Sequence, residues 1–345
     1  MARYAFYTSS SETWTAMLRE IERARHSVFI EMYIMLDDTP GFDFVETLRR
    51  KSRAGVAVKL VLDSFGSYSL GAAAVGSLRA DGVEVLFFSR WLHRLHRKLL
   101  VVDEAVAITG GVNIHGSAHG WADLALKLTG RRALKTALHL FAKTYDRAGG
   151  IDSRVIRYRK IPVARRLKNA FREYGPRDTK QTLKRFYSEK IAGARQSVRL
   201  VTPYFVPDRW LVTVLDAAAL RGVSVEVIIP ETCDSWFMDR ANFFSSLKMS
   251  KTNVSIYLFP KMNHAKVLLV DDREALVGSQ NLDSLSFNVN SESAVQVSDQ
   301  AMVADIAGIL SGWKQQSRLF VPGAVVRRWY DRALAAIVRI FQPFL

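Results

Sequence analysis

The sequence of 345 residues holds a single cysteine, Cys233, which excludes an internal disulfide framework and a thiolate zinc cluster. Such sparing use fits a reducing compartment. The opening Met1-Ala-Arg-Tyr-Ala-Phe-Tyr has no basic region followed by a long apolar run, so no signal peptide is expected. Charges interrupt every apolar stretch before it reaches the length that spans a bilayer. Negative charge is in deficit: 33 acidic residues face 49 lysines and arginines, giving a formal charge of +16. That excess calls for an anionic partner, either nucleic acid or an anionic membrane on whose surface the protein would lie. Histidine is scarce as well, with seven in all and only His264 after His139.

What is present is enough for a folded protein. About half the residues are apolar (49%), and the length fits one large domain or two medium ones. The main feature is an internal repeat. Ala24-Arg25-His26-Ser27-Val28 returns as Ala194-Arg195-Gln196-Ser197-Val198, each at a junction from helix to strand. Ala54-Gly55-Val56-Ala57-Val58 returns as Arg221-Gly222-Val223-Ser224-Val225, a glycine stop followed by a β-branched strand. Trp14, Met17, Leu18 and Ile21 stand at helical spacing behind Ser9-Ser10-Ser11. Helices alternating with apolar strands predict an α/β fold. We expect two similar lobes, each a mixed, mostly parallel sheet flanked by helices, related by a pseudo-twofold axis.

A third repeated pair carries the chemistry. His96-Arg97-Lys98-Leu99-Leu100-Val101-Val102-Asp103 matches His264-Ala265-Lys266-Val267-Leu268-Leu269-Val270-Asp271. On a strand, His and Lys two apart share a face. Each copy leads, at equal spacing, to a small-residue turn, Gly110-Gly111-Val112-Asn113 or Gly278-Ser279-Gln280-Asn281. One His-x-Lys-x4-Asp is a weak signal, but two with matched turns are not a coincidence. Asp123 follows His96 by 27 residues and Glu292 follows His264 by 28. A carboxylate hydrogen-bonded to one imidazole nitrogen fixes the tautomer and aims the other.

Two such half-sites would bring together His96, His264, Lys98, Lys266, Asn113 and Asn281. Lysine and asparagine hold a phosphodiester and neutralise charge on its equatorial oxygens. One neutral histidine attacks phosphorus and forms a phosphohistidine, and the other protonates the departing alkoxide. Asp103 and Asp271 directly follow the buried strands and are expected to support the lysines or nearby backbone. His93, His115 and His119 lie near the first motif, but the second half offers only His264, so neither a metal site nor a cofactor is expected.

Two basic stretches remain. Between the lobes, in 151–180, Arg154, Arg157, Arg159, Lys160, Arg165, Arg166, Lys168 and Arg172 alternate with Val155, Ile156, Tyr158, Ile161, Val163, Leu167 and Phe171. This reads either as a solvated linker or as a basic amphipathic segment on anionic headgroups. In 321–345, Val326, Trp329, Tyr330, Ala333, Ile337 and Phe341 fall at helical spacing among four arginines, which fits a terminal helix packed on its lobe or lying in an interface. The expected boundaries are a first lobe at 1–150, the linker, a second lobe at 181–320 and the C-terminal helix.

These motifs resemble the phospholipase D superfamily over nearly the whole chain. Thr109-Gly110-Gly111-Val112-Asn113-Ile114, Trp121-Ala122-Asp123 with Gly130, and Asn281-Leu282-Asp283 with Ser286, Asn290 and Glu292 look like the bacterial cardiolipin synthase branch. The resemblance implies that His96 is the nucleophile and His264 the general acid and base. It also implies an anionic phospholipid substrate and a peripheral protein on the cytoplasmic face of a bacterial inner membrane. Many members carry arginine, histidine and arginine where this chain has Ala122, Ala125 and Leu285, which bears on acceptor and headgroup specificity. Members often begin with transmembrane helices, so this chain is expected to be a shorter type.

The leading expectation is phosphatidyl transfer between two phosphatidylglycerol molecules. Hydrolysis uses the same half-reaction with water. A metal-independent nuclease also suits the charge, but the basic residues gather in two amphipathic runs rather than around stacking aromatics, so no nucleic acid is expected. A non-enzymatic membrane protein conflicts with two intact motifs. The oligomeric state is open.

Overall fold

The computed structural model describes residues 4–90, 93–160, 169–175 and 181–322. The C-terminal helix expected in 321–345 lies, beyond its first two residues, outside this set, as do 161–168 and 176–180 of the linker. The chain divides into two compact units. The first comprises 1–173 together with Ser291–Val295; the second comprises Tyr174–Asn290 and Gln296–Leu345.

The first unit contains strands β1 (Tyr4–Ser9), β2 (Ser27–Met32), β3 (Ala57–Asp63), β4 (Glu84–Phe88), β5 (Lys98–Val102), β6 (Val106–Gly110) and β7 (Ala122–Thr129). They form one sheet in the order β1-β7-β6-β5-β2-β3-β4. Its helices are α1 (Ser10–Arg23), α2 (Phe44–Arg53), α3 (Ala72–Ala80), α4 (Arg131–Arg147) and the short α5 (Ser153–Ile156); strand β8 spans Asn169–Tyr174. The sheet is mixed, as expected. Only the ladders β2–β3 and β3–β4 are parallel, and the other four are antiparallel. Because β5 and β7 alone are reversed, most strands still point one way. The reversal comes from the hairpins that follow the motif: two consecutive residues with positive φ, Asp103 and Glu104, turn β5 into β6.

Local chemistry explains the elements. Ser9 caps α1 by accepting the Glu12 amide, and Glu12 reaches back to the Thr8 amide at 2.8 Å. The face thus started buries Trp14, Met17 and Ile21 under the sheet. Full burial of such side chains contributes about 1.5–3 kcal/mol each. β2 and β5, at the centre, are buried at every residue.

The second unit contains α6 (Thr182–Ala192), β9 (Ser197–Val201), α7 (Arg209–Leu220), β10 (Ser224–Pro230), α8 (Trp236–Met249), β11 (Ser255–Phe259), β12 (Val267–Val270), β13 (Glu274–Gly278) and α9 (Ser284–Asn288). Then come β14 (Glu292–Val297), which belongs to the first unit as far as Val295, and α10 (Gln300–Gln315) and β15 (Arg318–Leu319). Strands β9, β10 and β11 are parallel, and β12 returns antiparallel to β9 and pairs with β13. The repeat holds to the residue: Leu99 opposes Glu31 as Val267 opposes Val201, and Val102 opposes Val28 as Val270 opposes Val198.

The described part of the linker packs on its own unit. Val155 and Tyr158 are buried, while Arg154, Arg157 and Arg159 stand at the surface, paired with Asp152, Glu104 and Asp146. Among the described residues no helix is long and apolar enough to cross a membrane.

Candidate active site

His96 ends the loop that enters β5 and is 6% exposed. Its backbone is laddered to a distant segment: the His96 amide donates to the Ser291 carbonyl at 3.0 Å, and the Ser291 amide to the Arg94 carbonyl at 2.8 Å. That ladder delivers Glu292. Its carboxylate, wholly buried, lies 3.0 and 3.1 Å from His96 Nδ1. An ionised carboxylate accepts a proton-bearing Nδ1, so the imidazole lone pair resides on Nε2. The carboxylate that binds His96 therefore comes from after the second motif copy. Asp123, buried at the start of β7, accepts the Leu124 amide at 2.6 Å.

Lys98 shares the strand face of His96 and is buried; its Nζ donates to the His96 carbonyl at 2.8 Å. The Tyr33 ring meets His96 edge to face at 4.8 Å, and Lys98 Nζ lies 5.1 Å from the centre of that ring. Burial, with Asp63 and Glu292 nearby, pushes the Tyr33 phenol up to about 12, so it keeps its proton at any ordinary pH. Two glycines make room. A Cβ on Gly66 would stand 2.3 Å from the Tyr33 carbonyl, and one on Gly110 would stand 2.3 Å from the Leu124 carbonyl. Asn113 is fixed from both sides: its carbonyl accepts the Trp14 indole at 2.8 Å, and its Oδ1 accepts the Ile34 amide at 3.4 Å.

The second unit repeats much of this. His264 and Lys266 are buried ahead of β12, and Lys266 Nζ donates to the His264 carbonyl at 2.6 Å. Tyr204 faces His264 at 6.4 Å and donates its hydroxyl to Asp234 at 2.8 Å. Burial first, and Asp234 next, push that phenol well above its ordinary value. The bridge that seats Asn113, Met35 with Ile114, recurs as Phe205 with Leu282 beside Asn281. The Asn281 amide donates to Ser286 Oγ at 3.0 Å, whereas its Oδ1 is buried and finds no partner among the described residues. A buried amide oxygen left in that condition costs free energy unless a ligand or water meets it.

Asp103 and Asp271 stand elsewhere. Each lies at the far end of its strand, about 23 Å from the histidine by strand rise, and is not brought to it. The Asp103 carboxylate accepts the amides of Arg25, His26 and Ser27, each at 2.8 Å. Asp271 accepts those of Arg195, Gln196 and Ser197. Partial burial raises both, but the three amides outweigh it and hold both carboxyls below the usual range.

Three features of the first unit escaped sequence reasoning. Asp63 is buried at the end of β3 and accepts the Leu95 amide at 2.7 Å, and those of Phe65 and Gly66, bracing the residue before His96. An aspartate closing an apolar strand ahead of a glycine turn was a usable signal. Tyr33 was another, since it follows the strand that pairs with the motif. The third is Arg97, buried on the opposite strand face with Glu31, Thr144 and Glu173. Burial lifts the Glu31 carboxyl to about 7 although Arg97 opposes it. Glu173 is also desolvated, yet Arg97 and Lys143 bring it down to about 2.

A family model described as cardiolipin synthase, phospholipase D-like domain, matches residues 17–144 and again 187–312. Cardiolipin synthase 1 of Bacillus anthracis is 27% identical over 98% of this chain and 72% of its own length. Cardiolipin synthase A of Pseudomonas putida is 31% identical over 89% of this chain and 67% of its own. In fold, the chain is similar to phosphatidylserine synthase of Haemophilus influenzae, with a TM-score of 0.75 and 16% identity over 98% of this chain and 92% of that one. It is also similar to polyphosphate kinase of Porphyromonas gingivalis, with a TM-score of 0.65 and 13% identity over 100% and 53%.

Proposed function

This chain belongs to the family of cardiolipin synthases with phospholipase D-like domains, and we propose that it is a phosphatidyltransferase that joins two phosphatidylglycerol molecules into cardiolipin and releases glycerol. The observation that carries the reading is His96 Nδ1 against the buried carboxylate of Glu292, which leaves Nε2 as the nucleophilic nitrogen.

In the first step Nε2 of His96 attacks phosphorus. The bond from phosphorus to the glycerol oxygen breaks, and His264, protonated, gives its proton to that oxygen. In the second step His264 takes the proton of a hydroxyl on a second phosphatidylglycerol. The new oxygen attacks, the P–N bond breaks, and His96 is regenerated. Lys98, Lys266, Asn113 and Asn281 hold the non-bridging oxygens, and the unpaired Oδ1 of Asn281 suits an incoming hydroxyl donor. Asp123 is assigned to orienting an imidazole, as Glu292 is. Asp103 and Asp271 act through the backbone turns they hold.

The positive charge suits an anionic bilayer surface, and we assign the protein to the membrane periphery on the cytoplasmic side. The test is incubation with phosphatidylglycerol vesicles in chelator, with the lipids separated on a plate. Cardiolipin and free glycerol are expected. Phosphatidic acid without cardiolipin would make it a hydrolase, and no lipid turnover by folded protein would end the reading.

A further inference from the structure

Arg97 stands between His96 and Lys98, and its side chain leaves the strand on the other face. It is 1% exposed. Its Nη2 donates to Glu173 at 2.7 Å, and its Nη1 donates to Thr144 Oγ1 at 3.1 Å and to Glu31 at 3.5 Å. Lys143 binds the same Glu173, and Arg147 lies 3.8 Å from it. At the matching positions the second unit has Ala265, between His264 and Lys266, and Val201, both buried. Neither of these two positions carries charge. A buried ion cluster is seldom more stable than an apolar replacement of good fit, so stability of the strand pair does not account for Arg97.

We propose that Arg97 is a positioning residue for the phosphatidyl transfer: it anchors the strand that carries His96 and Lys98 and sets the charge felt by the Glu292–His96 pair. The proposal rests on the reaction assigned above. The groups facing Arg97 are Glu31 from β2, Lys143, Thr144 and Arg147 from α4 and Glu173 from β8, while Glu292 from β14 acts on it through the electrostatic field. Burial works against the guanidinium charge, and Glu31, Glu173 and Glu292 restore it. The coupling is reciprocal. A fixed cation near Glu292 keeps that carboxylate ionised and disfavours a second proton on His96. The nucleophilic nitrogen thus stays unprotonated while its tautomer is held.

The test gives the first unit the apolar pair of the second, in the full-length Glu31→Val/Arg97→Ala variant. Histidines labelled with nitrogen-15 are titrated by NMR, the His96 signal being assigned by its loss in His96→Ala. The His96 midpoint is expected to rise by about 0.5–1 pH unit, and kcat near neutral pH to fall about tenfold with KM within about twofold. Glu173→Gln is the companion variant; it removes an anion at a site 21% exposed and keeps an oxygen that can accept from Arg97. It leaves Arg97 less compensated, so the midpoint should fall, by about 0.2–0.5 unit. Opposite shifts support the proposal. A folded double variant with unmoved midpoint and kcat overturns it, and so does an unmoved midpoint in Glu173→Gln, which decides alone if the double variant fails to fold. If the unmodified protein makes no cardiolipin, the assigned reaction fails, yet the two midpoints, which need no substrate, still show whether Arg97 acts on His96.

Discussion

The two units share a register and differ in what lies behind it. Leu99 opposes Glu31 where Val267 opposes Val201, and Arg97 fills the position of Ala265. At these two positions the second unit is apolar, and its nearest charge on that face is Arg199, opposite Leu269. The first sinks a guanidinium and two carboxylates behind its histidine and adds a third carboxylate, Glu292, in front. The phenols differ too: both rings lie edge-on to their histidine, but Tyr204 donates to Asp234, whereas Tyr33 lies under Lys98. Matched backbones with unmatched electrostatics suit the two different roles proposed for His96 and His264. A nucleophile needs a fixed tautomer and a permanent lone pair, while an acid that becomes a base must change protonation in each cycle.

The comparison breaks most readily at the histidines. His96→Ala is expected to lower transfer below about 10⁻⁴ of the original rate with no trapped phosphoenzyme. His264→Ala should be equally slow on phosphatidylglycerol but still label His96 from a substrate whose leaving group needs no proton, seen by mass spectrometry. Equal behaviour of both variants on that substrate would erase the distinction between the units. Next comes Glu292→Gln, which keeps shape and removes charge; kcat should drop on the order of 10³-fold with an unchanged far-ultraviolet spectrum. A drop below tenfold would remove the carboxylate from the mechanism.

Smaller effects concern stability. Glu31 has its carboxyl raised from 4.5 to about 7 in the folded state. A raised acid favours the fold while protonated, so its contribution is full below about 4.5 and is lost as pH rises through 7. Urea midpoints should therefore decline between about pH 5 and 8 by an amount worth up to roughly 3 kcal/mol, and Glu31→Gln should flatten that slope. The second unit, with Val201 in that place, provides no such dependence. Least of all, Asp103→Asn and Asp271→Asn should each cost about 1–2 kcal/mol and leave kcat within about threefold. Their lowered carboxyls stabilise above the ordinary carboxylate range, and that part is lost as pH falls through the folded values. A collapse of kcat in either would return these aspartates to the chemistry.

Much of this was legible in the residues. The repeat, the alternation of helix and strand, and the pairing of His with Lys on one strand face all follow from spacing, because they are local or recur at a constant interval. The mixed sheet was legible, but the share of antiparallel ladders was not, since it depends on pairings between strands far apart in the chain, such as β1 with β7. Glu292 was marked as an orienting group, yet its tie to His96 spans 196 residues, and chain order suggests the nearer Asp123. Nothing in the sequence singles out Arg97 between His96 and Lys98. Only its cross-strand neighbour Glu31 and the distant Glu173 reveal that it is buried, and neither lies at a helical or strand interval from it.

The membership of Ser291–Val295 in the first unit has a consequence for biosynthesis. A nascent chain can lay down every strand of the first sheet, and bury its core, long before Glu292 leaves the ribosome. Until then the carboxylate that meets His96 Nδ1 is missing. That contact forms only when the stretch from Ser291 is laid beside Leu95, a closure across 196 residues.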